Sequence, residues 1–183
     1  MLTAYDDIII RISKWLTDRE KIGLTMISKR MDKLKHKMIF SEKIDIEEII
    51  NLTYFDNFEF VQISNKTIKY PKFAKYIDLE SHTLNIPSFV THLTFDDYFN
   101  QLIGNNIPLS VTHLVFGAFF NKPVINSIPS SVTHLRFGYY FNQSIKDSIP
   151  PSVIHLTFGY NFNQSIKDSI PPSVTHLRFG YNF

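Results

Sequence analysis

Hydrophobic and polar positions follow two different rhythms along the chain. In the front part, Ile8, Ile9, Ile12, Trp15 and Leu16 recur at helical spacing, which predicts an amphipathic helix over residues 6–16. Thr17-Asp18-Arg19-Glu20 is a capping-box pattern, with Thr17 as N-cap and Glu20 at the third helical position. A second helix is expected behind it, with Ile22, Leu24, Met26 and Ile27 as its apolar residues. Ser28 can open a third, from Lys29 to about His36, with Met31 and Leu34 inward. Three short helices in under 40 residues bury little area, so this unit would gain from a partner.

The back half has a longer period. Val-Thr-His-Leu begins at Val90, Val111, Val132 and Val174, and Val-Ile-His-Leu at Val153, always 21 residues apart. Ile-Pro recurs at the same step from Ile86, and Phe-Asn recurs at Phe99, Phe120, Phe141 and Phe162, with Phe183 starting the next. Five copies without insertion, the last incomplete, are the signature of a solenoid.

One unit can be read residue by residue. Val132, Leu135 and Phe137 have the Leu-x-x-Leu-x-Leu spacing of leucine-rich repeats, and residues 132–137 suit a strand. Strand alternation points Leu135 and Phe137 inward and His134 and Arg136 outward. Gly138, repeated at Gly117, Gly159 and Gly180, is expected to bend the chain at positive φ, with Asp96 in its place in the first copy. Phe141 and Ile145 then fill the interior, and Pro150-Pro151 makes a rigid return with no room for a full helix. Stacked copies give parallel strands about 4.8 Å apart around one core. Asn100, Asn121, Asn142 and Asn163 form an expected ladder whose amides serve the irregular backbone. Residues 71–79 match the pattern of residues 87–95 at a spacing of 16 and read as an adapted N-terminal capping repeat.

The fold class is therefore α+β: a small three-helix head over residues 1–40, a linker and degenerate capping repeat over 41–85, and a leucine-rich-repeat-like parallel β-solenoid over 86–183. Charge follows the same division. Residues 1–50 hold ten Lys/Arg and nine Asp/Glu, whereas residues 81–183 hold five and four. The net charge of +2 is too small for an electrostatic nucleic-acid footprint. The absence of Cys excludes disulfides, Cys-ligated zinc and thiol nucleophiles. No window approaches the roughly 18 apolar residues of a membrane span, and the N-terminus lacks the pattern of a signal peptide. The expected compartment is intracellular and cytoplasmic. No Gly-rich phosphate loop, nucleophile elbow or paired-carboxylate site is present, so no enzymatic activity, cofactor or metal is expected.

The back half resembles the FNIP repeat family, through the Phe-Asn and Ile-Pro steps above. That resemblance implies a non-catalytic relative of leucine-rich repeats, of a kind found mainly in amoebae and the giant viruses that infect them. Residues 2–34 resemble an F-box. Ile8-Ile9-Ile10-Arg11-Ile12 matches its first helix, Trp15-Leu16 the close of that helix, Glu20 the acidic turn, and Ile27-Ser28-Lys29-Arg30 the ending. The family's Leu-Pro opening falls on Ala4-Tyr5, or on Leu2-Thr3 with a two-residue shift, and Met31 stands where an aromatic is usual.

The F-box resemblance implies docking to a Skp-type linker protein, and through it a cullin complex, with Ile8, Ile9, Ile12, Leu16, Leu24 and Ile27 as the docking residues. The repeats would then hold a target protein, making the chain a non-catalytic substrate-recognition adaptor of a ubiquitin ligase. The alternative is a protein-interaction scaffold with no ubiquitin link, its head serving only as a solenoid cap. His92, His113, His134, His155 and His176 form one outward row. Beside it, Arg136, Arg178, Tyr139 and Tyr160 sit in columns that vary between copies, and together these make the expected target surface. A straight row of histidines does not converge as tetrahedral zinc requires. The final strand has no following coil, which predicts a frayed end or end-to-end self-association.

Overall fold

The structure, a computed structural model, describes residues 3–67 and 69–183. Leu2, where the F-box resemblance opens, lies outside the described residues. The chain divides into two compact units, Met1–Ile77 and Asp78–Phe183.

The first unit opens with helix α1 (Ala4–Ser13), which starts earlier than the apolar stripe suggests. The cause is a second capping box: Thr3 accepts from the Asp6 N–H, and the Asp6 carboxylate accepts from the Thr3 N–H at 2.9 Å. The helix closes at Ser13, so Trp15 and Leu16 lie in the turn behind it. Helix α2 (Asp18–Thr25) carries the capping box of Thr17 and Glu20, and Ser28 caps α3 (Lys29–Leu34), which runs on into a 3₁₀ turn at Lys35–Lys37.

Residues 41–80 contain more than a linker and cap. They form β1 (Ile44–Asp45), the single-turn helix α4 (Ile46–Ile49) and β2 (Phe60–Ile63), and β1 pairs with β2 in parallel, Ile44 opposite Val61. Met38, Phe40, Ile46, Ile49, Phe58 and Val61 are buried here, with Phe40 stacked on Phe58 at 4.8 Å. The buried Asn57 amide donates to the carbonyls of Lys35 and Met38. These coils lack Ile-Pro and Phe-Asn steps and are 17 residues apart in register, so the 21-residue comparison passes over them.

In the second unit β3 (Tyr76–Ser81), β4 (His92–Phe95), β5 (His113–Val115), β6 (His134–Arg136), β7 (His155–Thr157) and β8 (His176–Arg178) pair in parallel, each with the next. From β4 onward His lies on His and Leu on Leu. The entry into β4 differs from the sequence reading. A spacing of 16 would set Leu79 opposite Phe95, but Leu79 lies opposite Leu93 and the small Ser81 opposite Phe95.

Two columns of Phe make the solenoid core. Phe95, Phe116, Phe137, Phe158 and Phe179 stack at 5.5–5.6 Å, and Phe99, Phe120, Phe141 and Phe162 at 6.0–6.1 Å. Val132, Leu135, Phe137, Phe141 and Ile145 are all buried, as the spacing predicts. Each buried Phe contributes roughly 1.5–3 kcal/mol. Ser110, Ser131, Ser152 and Ser173 each donate to a carbonyl of the preceding coil at 2.6–2.9 Å, pairing backbone that the short strands leave over.

The glycine column does not serve the purpose expected of it. Gly117, Gly138, Gly159 and Gly180 are not at positive φ. They are needed because the backbones of successive coils touch: a Cβ on Gly138 would lie 1.9 Å from the Gly117 carbonyl oxygen. Asp96, likewise not at positive φ, instead accepts from the N–H groups of Tyr98 and Phe99. The left-handed positions lie in the returns, at Gly104, Asn126, Asp147 and Asp168 with φ of 52–57°. Asn and Asp tolerate that region better than other residues bearing a Cβ.

Candidate interaction surfaces

The helical head is built with polar groups inside. The residues α2 buries are Asp18, Lys21 and Thr25. Lys21 Nζ donates to Asp18 at 2.6 Å and to the Ile39 carbonyl at 2.7 Å, while the Asp18 carboxylate also accepts from the N–H groups of Ser41 and Glu42. With this network turned inward, the apolar residues of α2 and its flanks point to solvent. Trp15 is 90% exposed, Met26 80% and Ile27 71%, and Tyr5, Ile8, Ile12 and Ile22 are exposed as well. Of the docking residues read from sequence, Ile8, Ile12 and Ile27 are exposed, and Ile9, Leu16 and Leu24 are half-buried. Trp15, Met26 and Tyr5 extend the surface beyond that set. In the sequence Trp15 and Met26 count among the apolar residues of the helices but not among the docking residues. Of the residues expected to point inward on α3, Leu34 is buried and Met31 half-buried. Arg30 joins α3 to α1 through Asp6 at 2.9 Å. The Thr3 backbone N–H, with Arg30 in support, holds the Asp6 carboxyl below its ordinary value.

On the solenoid the five histidines stack face to face, with ring centroids 4.0–4.3 Å apart. Thr91, Thr112, Thr133 and Thr175 each place a hydroxyl 2.8–3.0 Å from Nδ1 of the following His; Ile154 interrupts this series. Partial burial and the neighbouring imidazoles lower the pKa of His113 to about 4, and the same causes lower that of His134. Among the described residues, no group of three His, Asp or Glu is placed to hold a metal ion.

Beside the histidines runs a groove in two stretches, each of about 680 Å³. The first is bordered by Glu80, Asp96 and Asp97, the second by Arg136, Thr157 and Arg178 with Tyr139, Tyr160 and Tyr181. The structure thus brings four of the expected target residues together, Arg136, Arg178, Tyr139 and Tyr160, and adds Tyr181. The histidines line neither stretch.

The asparagine column lies elsewhere on the coil. The side-chain oxygens of Asn100, Asn121 and Asn142 accept from the backbone N–H of Asn121, Asn142 and Asn163 at 2.9–3.0 Å. This links each return to the next through a side chain.

Comparison with known proteins bears on the second unit. The model of the FNIP Repeat family matches residues 99–140 and 141–182, so this part of the chain carries FNIP repeats. A crystal structure described as CroV588, a novel circular LRR protein, is similar, with 40% sequence identity and a TM-score of 0.56 over 70% of this chain. The chain spans about a fifth of the length of that protein, the match covering 21% of it. A search of the curated proteins finds no match. The second unit thus combines FNIP repeats with a leucine-rich-repeat-like solenoid. Among the described residues, no helix is long and apolar enough to cross a membrane.

Proposed function

We propose that the chain is a non-catalytic substrate-recognition adaptor of a Skp–cullin–F-box ubiquitin ligase. In this reading the head docks a Skp-type linker protein and the repeats hold the target. The supporting observation is the inverted head: an ion pair occupies the inward face of α2 while Ile8, Ile12, Trp15, Met26 and Ile27 are left to water. Large apolar side chains left to water in so small a unit are what a protein partner would cover. Without Cys the chain cannot carry ubiquitin as a thioester, so its part in the ligase is tethering, which works by raising effective concentration.

The test is co-purification with a Skp-type protein, using the wild type and the double variant Ile12→Asp/Ile27→Asp. Both positions are exposed, so the variant keeps its fold. Loss of binding with unchanged circular dichroism is the expected result, and undiminished binding overturns the docking surface. One observation favours the second reading, in which the head only caps the solenoid. Asp18 and Lys21 bond to the backbone of residues 39–42, fixing α2 to the segment that leads into β1. A chain that binds no Skp-type protein, and whose β1 and β2 lose protection from hydrogen exchange when Asp18 is replaced, would fit the cap.

A further inference from the structure

The second stretch of the groove is specific enough to name a class of ligand. Arg136 and Arg178 stand in one column with Thr157 between them, two strand spacings apart, or about 9.6 Å. Both are exposed, and neither has a carboxylate within ion-pair distance among the described residues. Tyr139, Tyr160 and Tyr181 form the parallel column, with ring centroids 4.8 and 5.3 Å apart and planes within 7° of parallel. The outer two rings are therefore roughly 10 Å apart, close to the spacing of the arginines. Charge along the groove is graded: Glu80, Asp96 and Asp97 line only the first stretch, Arg136 lines both, and Arg178 lines only the second.

We propose that this stretch binds an acidic polyproline II segment of a protein, with carboxylates at positions i and i+3 on Arg136 and Arg178. This rests on the reading of the repeats as a target-holding surface. Spacing selects the conformation. A polyproline II helix has three residues per turn and rises about 3.1 Å per residue, so side chains at i and i+3 lie on one face about 9.3 Å apart. An extended β-strand returns to the same face after about 6.7 Å or 13 Å, and neither matches two coils. Polyproline II backbone makes no internal hydrogen bonds, so its carbonyls are free for the tyrosine hydroxyls, and the ring edges offer an apolar ridge to proline. The guanidinium fork suits a carboxylate held in one orientation. Glu80 and Asp97 repel the acid pair from the first stretch, which fixes the register. A nucleic-acid strand fits less well, because rings this close leave no gap for a base to stack between them.

The test uses the full chain and synthetic peptides, read by NMR titration. The probe is a capped Glu-Pro-Pro-Glu-Pro-Pro peptide. Controls are Glu-Pro-Glu-Pro-Pro-Pro, Glu-Gly-Gly-Glu-Gly-Gly and Lys-Pro-Pro-Lys-Pro-Pro, with a short oligothymidylate. The probe should bind at least fivefold tighter than any control. The double variant Arg136→Glu/Arg178→Glu should lose it at least tenfold, while charge reversal at exposed Lys146 and Lys167 leaves it within twofold. Equal binding of all acidic peptides reduces the site to charge attraction and overturns the conformational claim. Tighter binding of the oligothymidylate, lost in the same double variant, overturns it in favour of a phosphate backbone. If the probe fails but an unbiased peptide library gives ligands without the acid pair that the double variant no longer binds, this class is wrong and the target surface stands. A library that yields no ligand at the groove removes both.

Discussion

The head and the repeats solve burial in opposite ways. In the repeats the inward strand positions from β4 onward are apolar and each coil covers the one before it, so two Phe columns and a Leu column are shut from water up to the last coil while the outward residues are free to vary. In the head the inward positions of α2 are Asp18, Lys21 and Thr25, and Met26, Ile27 and Trp15 are left outside. A solenoid takes its stability from its own neighbouring copies. A three-helix unit of this size cannot, and its unspent apolar surface is what a partner would cover. The two regions should therefore respond in opposite ways to the same kind of substitution.

The largest contrast is expected from truncating an apolar side chain. Phe116 is buried and stacked on Phe95, Phe120 and Phe137 at 5.6, 4.1 and 5.5 Å. Phe116→Ala removes a fully packed ring and leaves a cavity, at a cost of about 3–5 kcal/mol. Met26→Ala in the head should change stability by no more than about 0.5 kcal/mol. Denaturant unfolding of the two variants checks the pair. A costly Met26→Ala would mean that the head side chain is covered within the free chain.

Much of this was legible in the sequence because the repeat copies each inward residue to the same column. The His, Leu and Phe columns, the inward set of Val132, Leu135, Phe137, Phe141 and Ile145, and the capping box at Thr17 all follow from spacing alone. What escaped notice depends on contacts between segments. The coils at Ile44 and Val61 share no period with the repeats, so only pairing reveals them. The polar interior of α2 is hidden because a stripe of Ile, Leu and Met looks the same whether it faces a core or a future partner. The groove of Arg136, Arg178 and the tyrosines joins residues from three coils, and one strand's pattern says nothing of its depth.

Glycine gives a second contrast, smaller and of opposite sign in the two regions. A Cβ at Gly138 would meet the Gly117 carbonyl oxygen at 1.9 Å, and backbone on a stacked coil cannot move aside without shifting its neighbours. Gly138→Ala should cost about 1–3 kcal/mol, as overpacking does. Gly23 lies within α2 with nothing inside 4 Å of the added carbon. Gly23→Ala should stabilise the head by up to about 1 kcal/mol through helix propensity alone. Thermal unfolding reads both, and a loss of stability at Gly23 would show that the open space there is occupied.

The last contrast is in pH. His113 titrates near 4 in the folded chain against an ordinary 6.5, because burial and then the neighbouring His92, His134 and His155 disfavour its charged form, and His134 is lowered for the same reasons. Between those two values the unfolded chain binds a proton that the native ladder refuses, so stability rises with pH across this window. It is fully present above about pH 6.5 and is lost as pH falls toward 4. Asp78 lies opposite His92 at the β3 end of the row, and Arg136 and Arg178 stand in the next column. In the head the shifts have the same sign but act in a lower window. The carboxyls of Asp6 and Glu20 are lowered, chiefly by the N–H groups of Thr3 and Thr17, so their contribution is lost only as pH falls below the ordinary carboxylate range of about 4. Acidification from pH 7.5 to 5 should therefore weaken the repeats and leave the head unchanged. Hydrogen exchange resolved by segment at both values is the measurement. Protection should fall in β4–β7, little should change in α1 and α2, and His113→Gln should flatten the response of the repeats. Equal protection of β5 at both pH values would show that the stacked imidazoles accept protons without strain.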